Sequence, residues 1–261
     1  MNVKNLYYWR KKLPFVNIYR DNFGDYLSRV VVEHVLKTEG IKNMRAHNRF
    51  SAIGSILHKM EPYSTIWGSG VNGKIELTQE IKKNIKTLDF RAVRGRGTLR
   101  VISDLGLDTS GIAMGDPALL LKDLLTGFDF LPISNKISWL PNLNDKNRSY
   151  QSGLNYINPL WDWQRVLKEI LTSERLITSS LHGLILAETY GVECRCVLPQ
   201  KSETVFKYND YLTGTNRQEI EAGSSFFCSD KITYKTGATF SELDFDTTEL
   251  KNAFPYDLFG E

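Results

Sequence analysis

Short apolar runs that end in glycine or another turn-forming residue recur along the first half of the chain, and they limit the possible folds more than any other feature. Runs of this kind are typical of parallel strands that are buried on both faces. An amphipathic helix is predicted at 25–37, where apolar residues follow helical spacing until Gly40. The predicted strands of this half cover residues 3–9, 51–57, 65–67, 90–93 and 111–114.

Strands and helices alternate in the second half. The predicted elements are strands at 136–140, 154–157, 175–178 and 192–198 and helices at 161–172 and 181–190. This β-α-β-α-β order makes a parallel sheet with right-handed crossovers. We therefore predict an α/β fold with two Rossmann-like domains that face each other across a cleft, where the carboxyl ends of the strands form a ligand site.

No long flexible linker separates the two halves, so the domain boundary is predicted in a short crossing near residues 125–135. We assign residues 1–130 to an N-terminal domain, 131–240 to a C-terminal domain and 241–261 to a tail. The tail contains a predicted helix at 249–254, and we expect it to pack back on the N-terminal domain.

Charge and hydropathy argue against several classes of protein. The 261 residues include 33 basic and 30 acidic side chains mixed along the chain, so the net charge of +3 gives no sign of a nucleic-acid partner. No segment approaches the roughly 20 apolar residues of a membrane span, and the start, MNVKNLYYWRKK, lacks the apolar run of a signal peptide. We expect a cytoplasmic protein with at most peripheral contact with a membrane surface.

Three cysteines are present, Cys194, Cys196 and Cys228. The first two alternate along a predicted strand, and one intervening residue is too few for a usual CxxC zinc or redox pair. We interpret them as reduced structural thiols and expect no metal site.

The segment RLITSSLHGLILAETYG, residues 175–191, is the most informative part of the chain. The predicted strand ends at Thr178, and a turn leads to His182 at the start of an apolar helix. A side chain there lies on the rim of the sheet, beside the positive end of a helix that favours anions. Because histidine exchanges protons near neutral pH, His182 is a candidate general acid and base. The alternative is a histidine that caps the helix or packs in the core.

The other histidines lack such a position. His34 lies in the middle of the first helix, and His58 follows an apolar strand. We interpret His34, His47 and His58 as structural or surface residues.

A second segment, residues 89–106, carries several arginines where a predicted strand enters a glycine-flanked turn. Arg94 and Arg96 lie in this turn. Guanidinium groups form paired hydrogen bonds with carboxylate and phosphate, so arginines at a strand end favour an anionic substrate. The alternative is a solvated basic turn. The GRG triplet is not a GxGxxG dinucleotide motif, and no GxxxxGK[ST] phosphate loop occurs in the sequence.

Two glycine-containing turns complete the candidate sites. In residues 21–28, Asn22 and Gly24 form a turn before Asp25, which can cap the helix or accept a hydrogen bond from a sugar hydroxyl. The GSG triplet at 68–70 lets a ligand approach the backbone closely, although the turn alone explains such glycines.

Eight motifs in order resemble those of polysaccharide pyruvyl transferases, most closely the ketal pyruvate transferases of bacterial exopolysaccharide synthesis. The motifs extend nearly from end to end of the chain, and the specificity lies in the ordered set because each motif alone is weak. They are NFGD (22–25), IGSIL (53–57), WGSG (67–70), AVRGRGT (92–98), GDPALLL (115–121), TSSLHGLILAETYGV (178–192), KYNDY (207–211) and AFPYD (253–257).

The resemblance implies a glycosyltransferase-like GT-B fold and phosphoenolpyruvate as the donor. It implies that His182 and Arg94 match the catalytic and donor-binding positions of the family. The other expected donor-binding residues are Arg96, Ser179, Ser180, Leu181, Gly183, Gly68, Ser69 and Gly70. The expected acceptor-binding residues are Asn22, Gly24, Asp25 and Asp116.

This sequence departs from the family pattern at two positions. Ser180 stands where many members have an arginine before the LH pair, and Gly95 stands where many have an acidic residue. The first departure removes an expected phosphate contact, which Arg96, Arg175 or a basic residue of the first half must then replace.

The function implied is transfer of a pyruvyl group from phosphoenolpyruvate to two hydroxyls of a sugar, with loss of phosphate and with no cofactor. The expected acceptor is a lipid-linked oligosaccharide or other glycan precursor at the cytoplasmic face of the inner membrane. Two alternatives remain open at this point. One is a GT-B glycosyltransferase that uses a nucleotide sugar, since a helix end also binds a diphosphate. The other is a non-catalytic sugar-binding member of a polysaccharide assembly complex.

Overall fold

The computed structural model describes residues 3–12, 19–145, 153–198, 204–220, 237–240 and 243–259. The strands are, in chain order, β1 (Lys4–Leu6), β2 (Lys11–Lys12), β3 (Tyr19–Arg20), β4 (Arg45–Ser51), β5 (Thr65–Trp67), β6 (Asp89–Val93), β7 (Ala113–Met114), β8 (Ile133–Leu140), β9 (Asn155–Tyr156), β10 (Ser173–Thr178), β11 (Glu193–Cys196) and β12 (Ala238–Phe240). The α-helices are α1 (Phe23–Thr38), α2 (Gln79–Ile85), α3 (Arg96–Asp104), α4 (Leu121–Leu124), α5 (Trp163–Leu171), α6 (Leu181–Tyr190), α7 (Phe206–Gly214) and α8 (Thr248–Asn252). Short 3₁₀ turns cover Leu57–Lys59, Pro117–Leu120 and Tyr256–Leu258.

These strands form two large sheets and one small antiparallel ribbon, β2 with β3. The first sheet has the order β1-β4-β5-β6-β7, and its strands are parallel. The second has the order β12-β11-β10-β8-β9 and is parallel except at its edge, where β12 runs antiparallel to β11. The predicted α/β class with mainly parallel sheets is therefore confirmed.

The prediction of a strand at 51–57 was wrong. The strand is β4, which ends at Ser51, and the apolar residues after it form bends and the turn Leu57–Lys59. Gly54 has a φ of 119°, which ends the extended conformation inside the predicted run. The apolar pattern therefore marked a buried turn at the end of β4 rather than the strand itself.

Two helices bring the candidate site residues to the ends of the sheets. Helix α1 has Asp25 in its first turn and Lys37 in its last, which suits the helix dipole. Helix α6 is apolar on nearly all sides and is almost wholly buried. Its N-cap is Ser180, whose Oγ accepts from the Gly183 N–H at 3.3 Å, and its C-cap is Gly191 in the left-handed conformation.

A single hydrophobic cluster includes residues from both large sheets. It contains Phe50 and Trp67 of the first sheet and Leu140 and Leu176 of the second, all essentially buried. Helix α1 lies between them and contacts both α5 and α6. The two sheets therefore share a common core around these helices.

The C-terminal segment lies against the first sheet. The Trp67 indole N–H donates to the Leu250 carbonyl at 2.8 Å, and the Phe254 ring meets the Trp67 ring edge-on at 4.8 Å. Arg91 of β6 pairs with Asp257 at 2.8 Å. Hydrogen bonds, ring contacts and an ion pair thus hold residues 248–259 on this sheet. None of the helices in the described ranges combines the length and apolar character needed to cross a bilayer.

Candidate active site

A pocket of about 320 Å³ opens at the carboxyl ends of strands from both sheets. Ser55 follows β4, Arg94 follows β6 and Asn142 follows β8. His182, in the first turn after β10, also lines the pocket, as does Asn22 of the turn before α1. Segments that are distant in the sequence therefore line one pocket.

The His182 ring lies between two residues that were predicted to bind the acceptor. Its Nε2 is 3.7 Å from Asp116 Oδ2, and neither atom has a hydrogen-bond partner within the described ranges. The other carboxylate oxygen, Asp116 Oδ1, accepts from the Ala118 N–H at 3.0 Å. On the opposite side of the ring, a methyl group on Gly24 would approach His182 Nδ1 to 2.4 Å. Gly24 and Asp116 therefore hold the imidazole rather than form the pocket wall.

Asp25 is the acidic side chain of the pocket. Its Oδ2 accepts from Asn22 Nδ2 at 2.8 Å. Burial raises the pKa of Asp25, and His182, Asn22 and Lys207 counteract this effect because they favour the charged form. A carboxyl group with a raised pKa beside an imidazole can take part in proton transfer.

The residues around the start of α6 divide into two groups. Ser180 and Leu181 line the pocket, as predicted. Ser179 is fully buried, where its Oγ donates to Asp145 Oδ2 at 2.6 Å and accepts from the Asn142 N–H at 2.8 Å. A methyl group on Gly183 would come within 2.6 Å of Thr178 Oγ1. Ser179 and Gly183 thus support the turn and do not line the pocket.

Arg94 lines the pocket but is only 1% exposed, and most of its hydrogen-bonding capacity is already used. Its Nε and Nη2 lie 3.1 and 3.0 Å from Asp210 Oδ2. Nη2 also donates to the Val71 carbonyl at 3.1 Å, and Nη1 donates to Ser55 Oγ at 2.7 Å. The guanidinium fork therefore binds Asp210, and one N–H of Nη1 remains for a ligand.

Helix α7 approaches this ion pair so closely that only glycine fits around it. A methyl group on Gly95 would come within 1.6 Å of the Asp210 carbonyl oxygen, and one on Gly214 would come within 2.0 Å of the Arg94 carbonyl oxygen. A methyl group on Gly70 would touch both charged side chains at 2.7 Å. The departure at Gly95 is explained by this contact, because any side chain there would displace α7.

The remaining predicted donor-binding residues lie outside the pocket lining. Arg96 is exposed, with Nη2 3.4 Å from Asn216 Oδ1. Gly68 packs on the Pro117 ring, and Ser69 is fully buried. Arg175, a suggested substitute for the missing arginine, forms a two-point pair with Glu193 at 2.7 and 2.9 Å in β10. None of these four residues is placed to contact a ligand in the pocket.

Several pocket residues were missed in the sequence. Lys207 of α7 is 9% exposed and Lys59 is exposed, and both line the pocket. His58 also lines it. Burial lowers the pKa of His58, and the Lys59 charge lowers it further. Lys207 lies in the motif KYNDY, and His58 directly follows IGSIL, so position within these motifs was the available signal.

The described cysteines lie away from the pocket. Cys194 and Cys196 are free and buried, and burial raises the pKa of both thiols. Cys228 lies outside the described residues.

Comparison with known proteins agrees with this architecture. The sequence profile of the polysaccharide pyruvyl transferase family matches residues 43–200. The succinoglycan biosynthesis protein ExoV of Rhizobium meliloti is 28% identical over 218 residues, which cover 78% of this chain and 63% of ExoV. The uncharacterised protein L143 of Acanthamoeba polyphaga mimivirus is 22% identical over 245 residues, which cover 89% of this chain and 83% of that protein.

A solved structure shares the fold. A functionally uncharacterised protein of Klebsiella pneumoniae superposes with a TM-score of 0.50 at 15% identity, covering 84% of this chain and 94% of that one. The fold and the pocket define an α/β protein with a polar pocket at its strand ends. The chain belongs to the polysaccharide pyruvyl transferase family, whose profile matches more than half of its length. It spans 63% of the length of ExoV.

Proposed function

We propose that this protein transfers the pyruvyl group of phosphoenolpyruvate to two hydroxyls of a sugar in a bacterial polysaccharide precursor, forming a cyclic ketal and releasing phosphate. One observation carries the proposal: the pocket combines an imidazole that has no hydrogen-bond partner in the described structure, His182, with a cationic wall. The first can move a proton, and the second can hold an anionic donor. Membership of the pyruvyl transferase family supports the same reaction.

The anionic donor is held mainly by lysines in this proposal. Lys207 and Lys59 both line the pocket, where their positive charges complement an anionic donor. Helix α6 adds the positive end of its dipole at Ser180. Lys207 and the helix end thus take the place of the arginine that many family members carry before the LH pair.

Arg94 has a smaller direct role in this scheme than the sequence suggested. Its one uncommitted N–H can donate a single hydrogen bond to the donor. Its other bonds hold Asp210 and Ser55 in place. Arg94 therefore binds the donor at one point and organises the wall around it.

The reaction needs three proton movements. The methylene carbon of the donor gains one proton, which makes the neighbouring carbon electrophilic, and the first sugar hydroxyl adds there and loses its proton. The bond to phosphate then breaks, and the second hydroxyl adds and loses its proton. One hydroxyl proton thus replaces the proton given to the methylene carbon, and the other leaves with phosphate.

His182 is the proposed carrier of these protons. Its Nε2 faces Asp116 at 3.7 Å and its ring packs against Gly24, so both residues position the imidazole at the pocket, where it can exchange protons with substrate. Asp25 is close enough to influence the same charge, since His182 favours its ionised form. Such general acid and base catalysis contributes roughly 10²- to 10⁴-fold.

The setting of the reaction is part of the proposal. The two sheets form two Rossmann-like domains, 1–130 and 131–240, that face across the pocket as in a GT-B fold, with the tail 241–261 on the first. The acceptor is a lipid-linked oligosaccharide or glycan precursor, and the protein works at the cytoplasmic face of the inner membrane. The scheme requires no cofactor and no nucleic acid.

The test compares donors before it asks about acceptors. We expect phosphoenolpyruvate to raise the melting temperature of the protein, whereas UDP-glucose and UDP-galactose should not. Incubation with phosphoenolpyruvate and a panel of lipid-linked or synthetic galactosides, glucosides and mannosides should then release phosphate and add a pyruvyl mass to one sugar. Protection by a nucleotide sugar alone would indicate a glycosyltransferase instead, and binding without phosphate release would indicate a non-catalytic protein.

A further inference from the structure

The opening of the pocket differs chemically from its floor. The floor carries the buried charges of Arg94 and Lys207. The opening includes the exposed residues Asn144, Ile75 and Lys59, together with the partly buried Trp9. The floor is thus suited to an anion, while much of the opening is apolar or uncharged.

Uncharged hydrogen-bonding groups are available at this opening. Asn142 Oδ1 accepts from the Asn144 backbone N–H at 2.9 Å, and this bond fixes the orientation of the Asn142 side-chain amide. Within the described ranges, Asn142 Nδ2 and both side-chain atoms of Asn144 form no hydrogen bond. An amide offers donors and an acceptor together, which matches hydroxyl groups because each hydroxyl also donates and accepts.

Trp9 supplies a flat apolar surface in the same pocket. It follows β1 of the first sheet, whereas Asn142 and Asn144 follow β8 of the second. No ring contact or hydrogen bond occupies its indole in the part of the chain that the structure describes. A ligand in the pocket would therefore meet an aromatic face from one sheet and amides from the other.

We infer that the pocket opening is a subsite for a neutral hexopyranose, with the Trp9 ring under the apolar C–H face of the sugar and the side chains of Asn142 and Asn144 on its hydroxyls. Aromatic rings combined with a few polar groups are typical of small-molecule pockets, and a pyranose has both an apolar face and a hydroxyl rim. The subsite rests on the proposed function only in making this sugar the acceptor. Sugar binding itself follows from the opening alone.

The subsite also explains how hydroxyls could reach the donor. Trp9, Asn142 and His182 line one continuous pocket of about 320 Å³, near the lower end of the roughly 300–1,000 Å³ usual for ligand sites. A sugar at the opening therefore lies in the same pocket as the imidazole and the cationic floor.

Binding of simple glycosides to the full chain tests this inference. The probes are methyl β-D-galactopyranoside and methyl β-D-glucopyranoside, measured by saturation-transfer NMR without phosphoenolpyruvate. We expect at least one to bind, Trp9→Ala to weaken it tenfold or more, and Trp9→Phe to retain most of the affinity because a ring remains. Asn144→Ala should weaken binding to a smaller extent. Tyr63→Ala is the matched control, since Tyr63 is 73% exposed and lies outside the pocket lining.

The outcomes separate the subsite from the proposed reaction. Phosphoenolpyruvate affinity should change less than twofold in Trp9→Ala. If this variant lost affinity for phosphoenolpyruvate and for the glycoside equally, Trp9 would have a structural role and the inference would be overturned. The inference would also be overturned if neither glycoside gave a saturation-transfer signal at tens of millimolar. It would be overturned as well if uridine bound and only uridine binding, not glycoside binding, were weakened in Trp9→Ala. Failure of the proposed reaction gives a different pattern, with glycosides bound but no phosphate released.

Discussion

Two charged clusters lie at neighbouring strand ends of this protein, and they differ in how completely their polar atoms are paired. At the end of β6, the Arg94 and Asp210 side chains are 1% and 0% exposed, and Asp210 also accepts from Thr98 N and Oγ1, both at 2.7 Å. At the start of α6, the facing atoms of His182 and Asp116 lack a hydrogen bond in the described structure. The first cluster is almost fully hydrogen-bonded, as expected of a structural ion pair. The second has buried polar atoms without a hydrogen bond, as expected of a reactive site.

This difference assigns separate roles to the Arg94 segment and the His182 segment. The sequence predicts both as sites of chemistry because both follow strands at the rim. The structure shows that Arg94 chiefly joins β6 to α7, while His182 is held in position by packing against Gly24. Position at a strand end therefore identifies candidates, and the pairing of their polar atoms separates the roles.

The largest expected effect comes from removing the imidazole of the open cluster. We expect His182→Ala to lower single-turnover phosphate release by about 10²- to 10⁴-fold, because the proton carrier is lost while the cationic wall remains. Phosphoenolpyruvate affinity should be nearly unchanged. His47→Ala is the control, since His47 is exposed on β4. Full turnover in His182→Ala would place the proton carrier elsewhere.

Breaking the paired cluster should affect stability instead. We expect Asp210→Ala to lower the free energy of unfolding by about 3–5 kcal/mol, because it leaves the Arg94 guanidinium buried without its partner. Denaturant titration measures this difference. The double variant Arg94→Met with Asp210→Leu should recover much of the loss, because no unpaired charge remains. If the single and double variants were equally unstable, packing of α7 rather than charge would explain the effect.

A smaller effect is expected from the lysines. Lys207→Ala should weaken phosphoenolpyruvate binding by about 1–3 kcal/mol, the usual range for a buried hydrogen bond to a charged group. Lys59→Ala should weaken it less, since the exposed Lys59 charge is screened by solvent. Calorimetric titration at two salt concentrations measures both, and salt should reduce the Lys59 contribution more. Equal affinity in Lys207→Ala and the parent would contradict the proposed donor wall.

The smallest expected effect concerns Asp25. Burial raises its pKa, so the folded state holds this proton to a higher pH than the unfolded state does, and stability falls as pH rises from the ordinary value of about 3.9. Asp25→Asn should therefore be more stable than the parent at pH 7, and the gain should vanish below about pH 3.9. We expect a shift of only a few degrees, because about 1 kcal/mol changes Tm by roughly 2–4 °C at this chain length. A gain that is independent of pH would exclude ionisation as the cause.

The elements that the sequence predicts best are those specified by local pattern. Strand β5 and helix α6 have the predicted bounds, since β5 is a short apolar run before glycine and α6 lies between a serine cap and Gly191. Strand β4 was misplaced because most of its residues are polar, with no apolar run to mark it, and because its position is set by pairing with β1 and β5. Local pattern therefore accounts for α6, whereas tertiary pairing accounts for β4.

The candidate site shows the same division. The position of His182 follows from one strand, one turn and one helix that are consecutive in the sequence, so local pattern is enough to predict it. The partner of Arg94 lies 116 positions away, so no spacing rule connects Arg94 to Asp210. Trp9 follows β1 and Lys207 lies in α7, and both line the same pocket as His182 although they are distant from it in the sequence.

The long separation between Arg94 and Asp210 has a consequence for how the protein is synthesised. The ribosome completes the first sheet well before it makes α7, and domains generally begin to fold from the N-terminus during translation. Until Asp210 emerges, the Arg94 guanidinium has no counter-ion and must stay hydrated, because burying it alone is strongly unfavourable. The nascent first sheet therefore reaches its final packing late, and chains that terminate before α7 are expected to be substrates for chaperones and proteases.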